Sequence, residues 1–203
     1  MTNKKIVIIG YSGHSYGCIE VAIKNGFSIV GYHDIKENIK NPYNLKYLGH
    51  EEELNKKHRP FISLGDNNIR KKIYKKLKSN NIYLNTVLIH TSATISKTSL
   101  IEEQTFISAG VIINPQVKIG AGCIINTGAI IEHECAIGKF THIAPGAVLA
   151  GNVSIGFGCM IGANAVIKQG VRVGDNVVIG AGAVVLNDIN SNTKFVGNPA
   201  HEI

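Results

Sequence analysis

From Ile89 onward an aliphatic residue recurs at every sixth position. Stepping through 95, 101 and 107 to 185 gives seventeen positions, of which fourteen are Ile, one Leu and two Val. Four residues after each stands a small or aliphatic residue, from Ala93 and Ser99 through Cys123, Ala129, Cys135 and Cys159 to Ala183 and Ile189, and none is charged. Glycine often follows the aliphatic directly, at Gly120, Gly138, Gly156, Gly162, Gly174 and Gly180. A helix repeats every 3.6 residues, so it cannot carry this pattern. Short strands joined by tight corners can: the large aliphatic fills the interior, the small residue sits where corners crowd, and the glycine reads as the turn residue. Three such hexads make one triangular coil. Seventeen make between five and six coils, a prism about 27 Å tall at roughly 4.8 Å per coil.

Upstream the pattern changes. Lys5–Ile9 is a short apolar run ending at Gly10-Tyr11-Ser12-Gly13-His14. Residues 14–25 then place Cys18, Ile19, Ala22 and Ile23 on one side of a helix. A second strand is predicted over 27–32, followed by His33 and Asp34, and a third over 60–65. Asp66 caps a predicted helix over 67–79, with Ile69, Ile73 and Leu77 on its buried face and Arg70, Lys71, Lys72, Lys75, Lys76 and Lys78 toward water. Strand and helix alternating in this way predict a Rossmann-like α/β unit with a parallel sheet over residues 1–85. The hexads occupy 86–190, and 191–203 form a C-terminal tail.

Composition sharpens this division. Hydrophobic residues make up 44% and charged residues 17%, which excludes a disordered charged tail protein. The net charge of +7 is uneven: residues 1–85 hold 15 Lys+Arg against 7 Asp+Glu, and the remainder 6 against 7. A basic first unit is suited to an anion such as a nucleoside diphosphate. No basic run is interleaved with aromatics, so nucleic acid is not expected. No stretch approaches the roughly 20 apolar residues of a membrane span, and the apolar part of the start is too short for a signal peptide. Four cysteines without a CxxC spacing point to reduced thiols in the cytoplasm, and Cys123, Cys135 and Cys159 all fall at the small inward position.

Two segments carry candidate chemistry. Gly10, Gly13 and Gly17 depart from the G-x-G-x-x-G dinucleotide spacing. Even so, a glycine turn after a first strand lets phosphates approach backbone N–H groups at a helix N-terminus. His33-Asp34 at the end of the second strand is placed to read a ribose or base. In the hexads, Glu132-His133-Glu134 stands out. A histidine has its pKa near working pH, so one set between two carboxylates is a candidate general base. Successive residues on a strand point to opposite faces, so contact between His133 and Glu134 requires a corner or an adjacent subunit.

The hexads resemble the left-handed parallel β-helix of hexapeptide acyltransferases, and Gly197-Asn198-Pro199-Ala200 is similar to the G-x-P-A close of that family, with His201 where a lysine often follows. With Gly10-Tyr-Ser-Gly-His14, the run Leu64 to Tyr74, Ile125-Asn-Thr127 and Ile131-Glu-His-Glu-Cys135, nearly the whole chain resembles the bacterial nucleotide-sugar N-acetyltransferases of the PglD type and the related sialic acid O-acetyltransferases. The resemblance implies a homotrimer using acetyl-CoA, no metal, and a nucleotide-linked amino-deoxy sugar of the UDP-4-amino-4,6-dideoxy type. It further implies His133 as general base supported by Glu134, and substrate contacts from Ser12, Gly13, His14, His33, Asp34, Gly65 and Asn126. His142 would meet the thioester, Gly151, Ala163 and Ala181 would line the CoA channel, and residues 191–203 would cover it. His33 stands where an acidic residue is typical of the 4-amino-sugar enzymes. Lys168 and Arg172 are candidates for CoA phosphates. The rival readings are O-acetylation of a sialic acid or related sugar, a zinc hydrase, and a non-catalytic solenoid. A zinc site needs three convergent histidines, and His133 and His142 have no third at 18-residue spacing.

Overall fold

Ile6, Val7, Ile8 and Ile9 are all buried, as expected of a strand covered on both faces. The strand, β1 (Lys5–Ile9), is the centre of a parallel sheet with β2 (Ser28–His33) on one side and β3 (Arg59–Ile62) on the other. The computed structural model describes residues 5–55 and 57–203; the basic start, residues 1–4, lies outside them. β3 stops short of the predicted residue 65 because Ser63 turns inward, its hydroxyl donating to the carbonyls of Ile9 and Gly10.

Helix α1 (Gly13–Lys24) buries a stripe centred on Ser15, Cys18 and Ala22, with Ile19 and Val21 at its flanks, which leaves Ile23 exposed rather than buried. Helix α2 (Asn67–Ser79) begins as expected, with Asp66 Oδ1 accepting from the Ile69 N–H at 2.8 Å. Its buried stripe is Arg70, Ile73, Tyr74 and Leu77, a regular i, i+3, i+4, i+7 set. The expectation for two residues is therefore reversed: Ile69, one residue out of phase, is exposed, and Arg70 is 1% exposed.

From Leu88–Ile89 to Val184–Val185 the chain winds as a left-handed β-helix of two-residue strands. Through Val166–Ile167 each strand pairs in parallel with the strand 18 residues on, for example Ile125 with Ile143 and Ile143 with Ile161. The coils share three sheets, and Lys194–Val196 closes the first of them with His201–Glu202 antiparallel beside it. The second residue of each strand is the hexad aliphatic, and from Ile107 to Val185 all are buried. Cys123, Cys135 and Cys159 are buried at the small position, as expected.

The corners differ from the expectation in one respect. The left-handed backbone falls three residues after the aliphatic, in an unbroken series from Gln104 and Gly110 through Glu134 and Phe140 to Gly182. The glycines directly after the aliphatic are needed for a different reason. A Cβ on Gly138 would strike the backbone of Gly156 in the next coil, and one on Gly162 the backbone of Ala181. They permit close stacking of coils rather than a turn.

The α/β unit docks on this column. Outward residues Leu88, Phe106 and Ile124 of the first solenoid sheet are buried against Tyr11, Cys18 and Ile19. One corner is also gripped at four successive levels, residues 104, 122, 140 and 158. The buried Gln104 amide accepts from Ile62 N–H (2.9 Å) and donates to Pro60 O (3.0 Å), capping the free edge of β3. Arg70 donates to Gly122 O and Phe140 O, and Asn67 to Gly158 O.

Candidate active site

The C-terminal ends of β1, β2 and β3 open into a cavity of about 470 Å³ walled by Gly10, His33, Asp34 and Leu64, with Ile69 and Lys72 of α2 on the far side. In open α/β sheets this end, at the point where strand order reverses, is where ligands sit. The Asp34 carboxylate braces the glycine turn, accepting from Tyr11 N–H at 2.8 Å and Ile35 N–H at 2.7 Å. His33 is buried with Nδ1 3.0 Å from His50 O. Ser12 is the exposed N-cap of α1, and Gly13 faces open space. Lys76 at the rim is held by Glu51 (3.1 Å) and Glu52 (2.6 Å).

A second cluster lies where the α/β unit meets the first solenoid sheet. Gly65 sits against His14, the position of its absent Cβ being 3.8 Å from His14 Cβ. The His14 ring stands edge-on to Phe106 with centroids 5.2 Å apart, and its Nε2 is 3.5 Å from Cys18 Sγ. Across from it Asn126 Nδ2 donates to His142 Nε2 at 3.3 Å. Burial pulls both imidazoles down to about 4, with the Arg70 guanidinium adding to the effect on each and His142 adding to that on His14. Both rings are therefore neutral near pH 7.

His133 occupies a different environment. It sits at the exposed corner between Ile130–Ile131 and Ala136–Ile137, and its Nδ1 lies 3.0 Å from Glu134 Oε2. The contact between neighbours in sequence is possible because Glu134 has φ 63°, the left-handed corner conformation, which breaks the strand alternation. A carboxylate can only accept, so Nδ1 carries the proton and Nε2 presents its lone pair. Glu132 is not part of this pair; its Oε2 accepts from Asn114 Nδ2 in the coil below. Gly151, one coil above His133, is where the ring rests. A Cβ there would lie 2.6 Å from Cε1 and Nε2 of the imidazole.

The predicted residues thus fall on two edges of one prism. Asn126, Ala163 and Ala181 share the corner after the first sheet, beside His142, while His133, Glu134, Gly151 and Lys168 share the corner after the second. Arg172 projects from the third sheet and His201 from the final antiparallel strand His201–Glu202, both exposed. Between the two edges lies the second sheet, whose outward residues are Thr94 at its open end and then Ile112, Ile130, Val148, Val166 and Val184. Ile112 is 37% and Val166 39% exposed. The third sheet instead presents Leu100, Lys118, Ala136, Ser154 and Arg172. Sequence reading missed Arg70 and the seat at Gly151. The signals were there: Arg70 is in phase with Ile73, Tyr74 and Leu77, and Gly151 is 18 residues, one coil, after His133.

Among the described residues no group of three or more His, Cys, Asp or Glu is placed to hold a metal ion, and no helix is long and apolar enough to cross a membrane. Burial pushes the thiol of Cys123 up to about 12 and that of Cys159 to about 11, so neither is a nucleophile.

Residues 5–77 match the PglD N-terminal domain, and residues 98–133 and 152–187 match the bacterial transferase hexapeptide family. The chain is similar over its length to the acetyltransferase domain of PglB from Neisseria gonorrhoeae FA1090 (29% identity, 99% of this chain and 100% of that one, TM-score 0.91). The same domain in complex with acetyl coenzyme A superposes with a TM-score of 0.90, again at 29% identity and with the same coverage of the two chains. A variant of perosamine N-acetyltransferase from Caulobacter crescentus, in complex with CoA and GDP-perosamine, shares 31% identity over 98% of this chain and 96% of that one, with a TM-score of 0.90.

Proposed function

Since the chain belongs to the PglD-type hexapeptide-repeat sugar acetyltransferases and is an acetyltransferase, we propose that it transfers the acetyl group of acetyl-CoA to the amine of a nucleotide-linked amino-deoxy sugar, in a homotrimer whose sites lie between subunits. One observation carries this reading. The candidate residues occupy two edges that flank an aliphatic sheet face. Packing that face around a threefold axis brings the His133 edge of one subunit to the Asn126 and His142 edge of the next.

In this reading the nucleotide enters the cavity at the ends of β1–β3, with phosphates at the Gly10–His14 turn, and the sugar reaches toward the neighbour's His133. The amine nitrogen attacks the thioester carbonyl carbon as His133 Nε2 takes its proton. Glu134 neutralises the imidazolium that forms. The neutral His142 has Nε2 engaged by Asn126, so its Nδ1–H can donate a hydrogen bond to the carbonyl oxygen as it becomes negative, the proton staying on the ring. The carbon–sulfur bond then breaks, and the thiolate leaves with the proton that His133 returns. Ala163 and Ala181 leave room for the pantetheine arm, with the closing residues 191–203 beside it, while Gly151 seats the His133 ring. The buried, unpaired cysteines fit a cytoplasmic enzyme.

The test is CoA release from acetyl-CoA with a panel of UDP- and GDP-linked 4-amino sugars, alongside solution mass. Turnover with at least one sugar and a trimeric mass are expected. A monomer, or no turnover with any member, defeats the reading.

A further inference from the structure

Arg70 is buried, and no ion pair among the described residues includes it. Burial pulls its guanidinium down to about 10, which still leaves it charged at neutral pH. Burying an unpaired charge costs several kcal/mol, and an apolar side chain would hold two packed surfaces together at less cost. Only the donors explain the residue. Nε donates to Gly122 O (2.7 Å), Nη1 to Leu64 O (2.9 Å) and Gly65 O (3.0 Å), and Nη2 to Asn67 Oδ1 (2.7 Å) and Phe140 O (3.2 Å). All five N–H groups of the planar fork are used, and a lysine has neither the number nor the geometry to replace them.

The acceptors belong to two parts that have to meet. Leu64 packs against Gly10, and Gly65 forms the shelf against which His14 rests. Gly122 and Phe140 are the corners of two successive coils, four residues before Asn126 and two before His142. Asn67, held by Nη2, extends the grip to Cys159 O (2.9 Å) in a third coil. We propose that Arg70 is a positioning residue for acetyl transfer, its guanidinium fixing the Gly65–His14 shelf in register with the coils that present Asn126 and His142. The inference rests on the functional reading above. It has an electrostatic counterpart. His14 is faced by His142, Arg70 and Cys18, and His142 by His14, Arg70 and Asn126, so Arg70 is the one fixed positive charge that disfavours a proton on either ring.

The experiment uses the full-length chain with the nucleotide-linked amino sugar that the wild type turns over. In Arg70→Lys and Arg70→Gln, kcat falls about 100-fold while KM for acetyl-CoA stays within about twofold. In Arg70→Gln the His14 and His142 rings, followed by NMR, titrate at higher pH than in the wild type. Unchanged kcat, a loss confined to acetyl-CoA KM, or unmoved imidazole titrations in a folded variant overturns the proposal. Should neither variant fold, Asn67→Ala removes the Nη2 acceptor while keeping the guanidinium. It is expected to lower kcat about 10-fold with acetyl-CoA KM unchanged, and wild-type kcat there overturns the proposal equally. If the wild type itself acetylates no nucleotide-linked sugar, the functional reading fails, while the imidazole titrations still decide the electrostatic role of Arg70.

Discussion

Two imidazoles nine residues apart on the same solenoid live in opposite surroundings. His133 stands at an open corner with a carboxylate 3.0 Å from one nitrogen and, among the described residues, nothing donating to the other. His142 is half-buried, receives a hydrogen bond from Asn126, and is held neutral by burial and by Arg70. The first can take up a proton and have the new charge neutralised at once. The second resists protonation and so keeps a fixed pattern of one donor and one acceptor nitrogen. On the proposed reading it is the neighbours, not the residue type, that assign the general base to His133 and the orienting group to His142.

The sharpest way to break this contrast is to remove the exposed ring. His133→Ala is expected to lower kcat by about 10²- to 10⁴-fold with folding and assembly intact, because the side chain lies at the surface. Turnover near the wild-type level in a steady-state assay would erase the distinction. Disturbing the seat of the ring is milder. Gly151→Ala puts a methyl group where the imidazole lies and pushes it off Glu134, for an expected loss of about 10-fold in kcat. Unaltered kcat would show that the ring works from another position.

A further test concerns stability. His14 and His142 have folded-state values near 4, below the ordinary 6.5, so between those limits the unfolded chain binds more protons than the folded one. Stability is then complete above about pH 6.5 and declines as pH falls toward 4, with an uptake of up to about two protons on unfolding. Unfolding midpoints measured across this range should drop on the acid side, and His142→Asn should flatten the slope. A slope unaltered in that variant would remove His142 from the account.

The period of six was enough to read the prism, its three-sheet winding and the inward cysteines, because a strictly repeated interior allows one solution. Pairing of His133 with Glu134 was implied by the resemblance, but whether a corner or an adjacent subunit makes it was not legible. It depends on φ 63° at Glu134, and glutamate does not announce a left-handed corner as Asn152 or Gly158 does. Arg70 was misread for a related reason. Among Lys71, Lys72 and Lys75 it looks like one more surface cation, and only the carbonyls of another part of the chain show why it points inward. The division of the site residues between two edges could be derived from the 18-residue coil. The distance from the α/β unit to those edges could not, since it is set by side chains from both parts.

Because residues 104, 122, 140 and 158 engage the α/β unit at four consecutive levels, the chain counts turns. An 18-residue insertion beyond residue 178 would lengthen the column and leave this grip unaltered. The same insertion between residues 122 and 140 would lift His142 by one storey, about 4.8 Å, relative to His14. Growth of this architecture is therefore tolerated at the C-terminal end and forbidden within the gripped levels, and relatives of different length should differ above them.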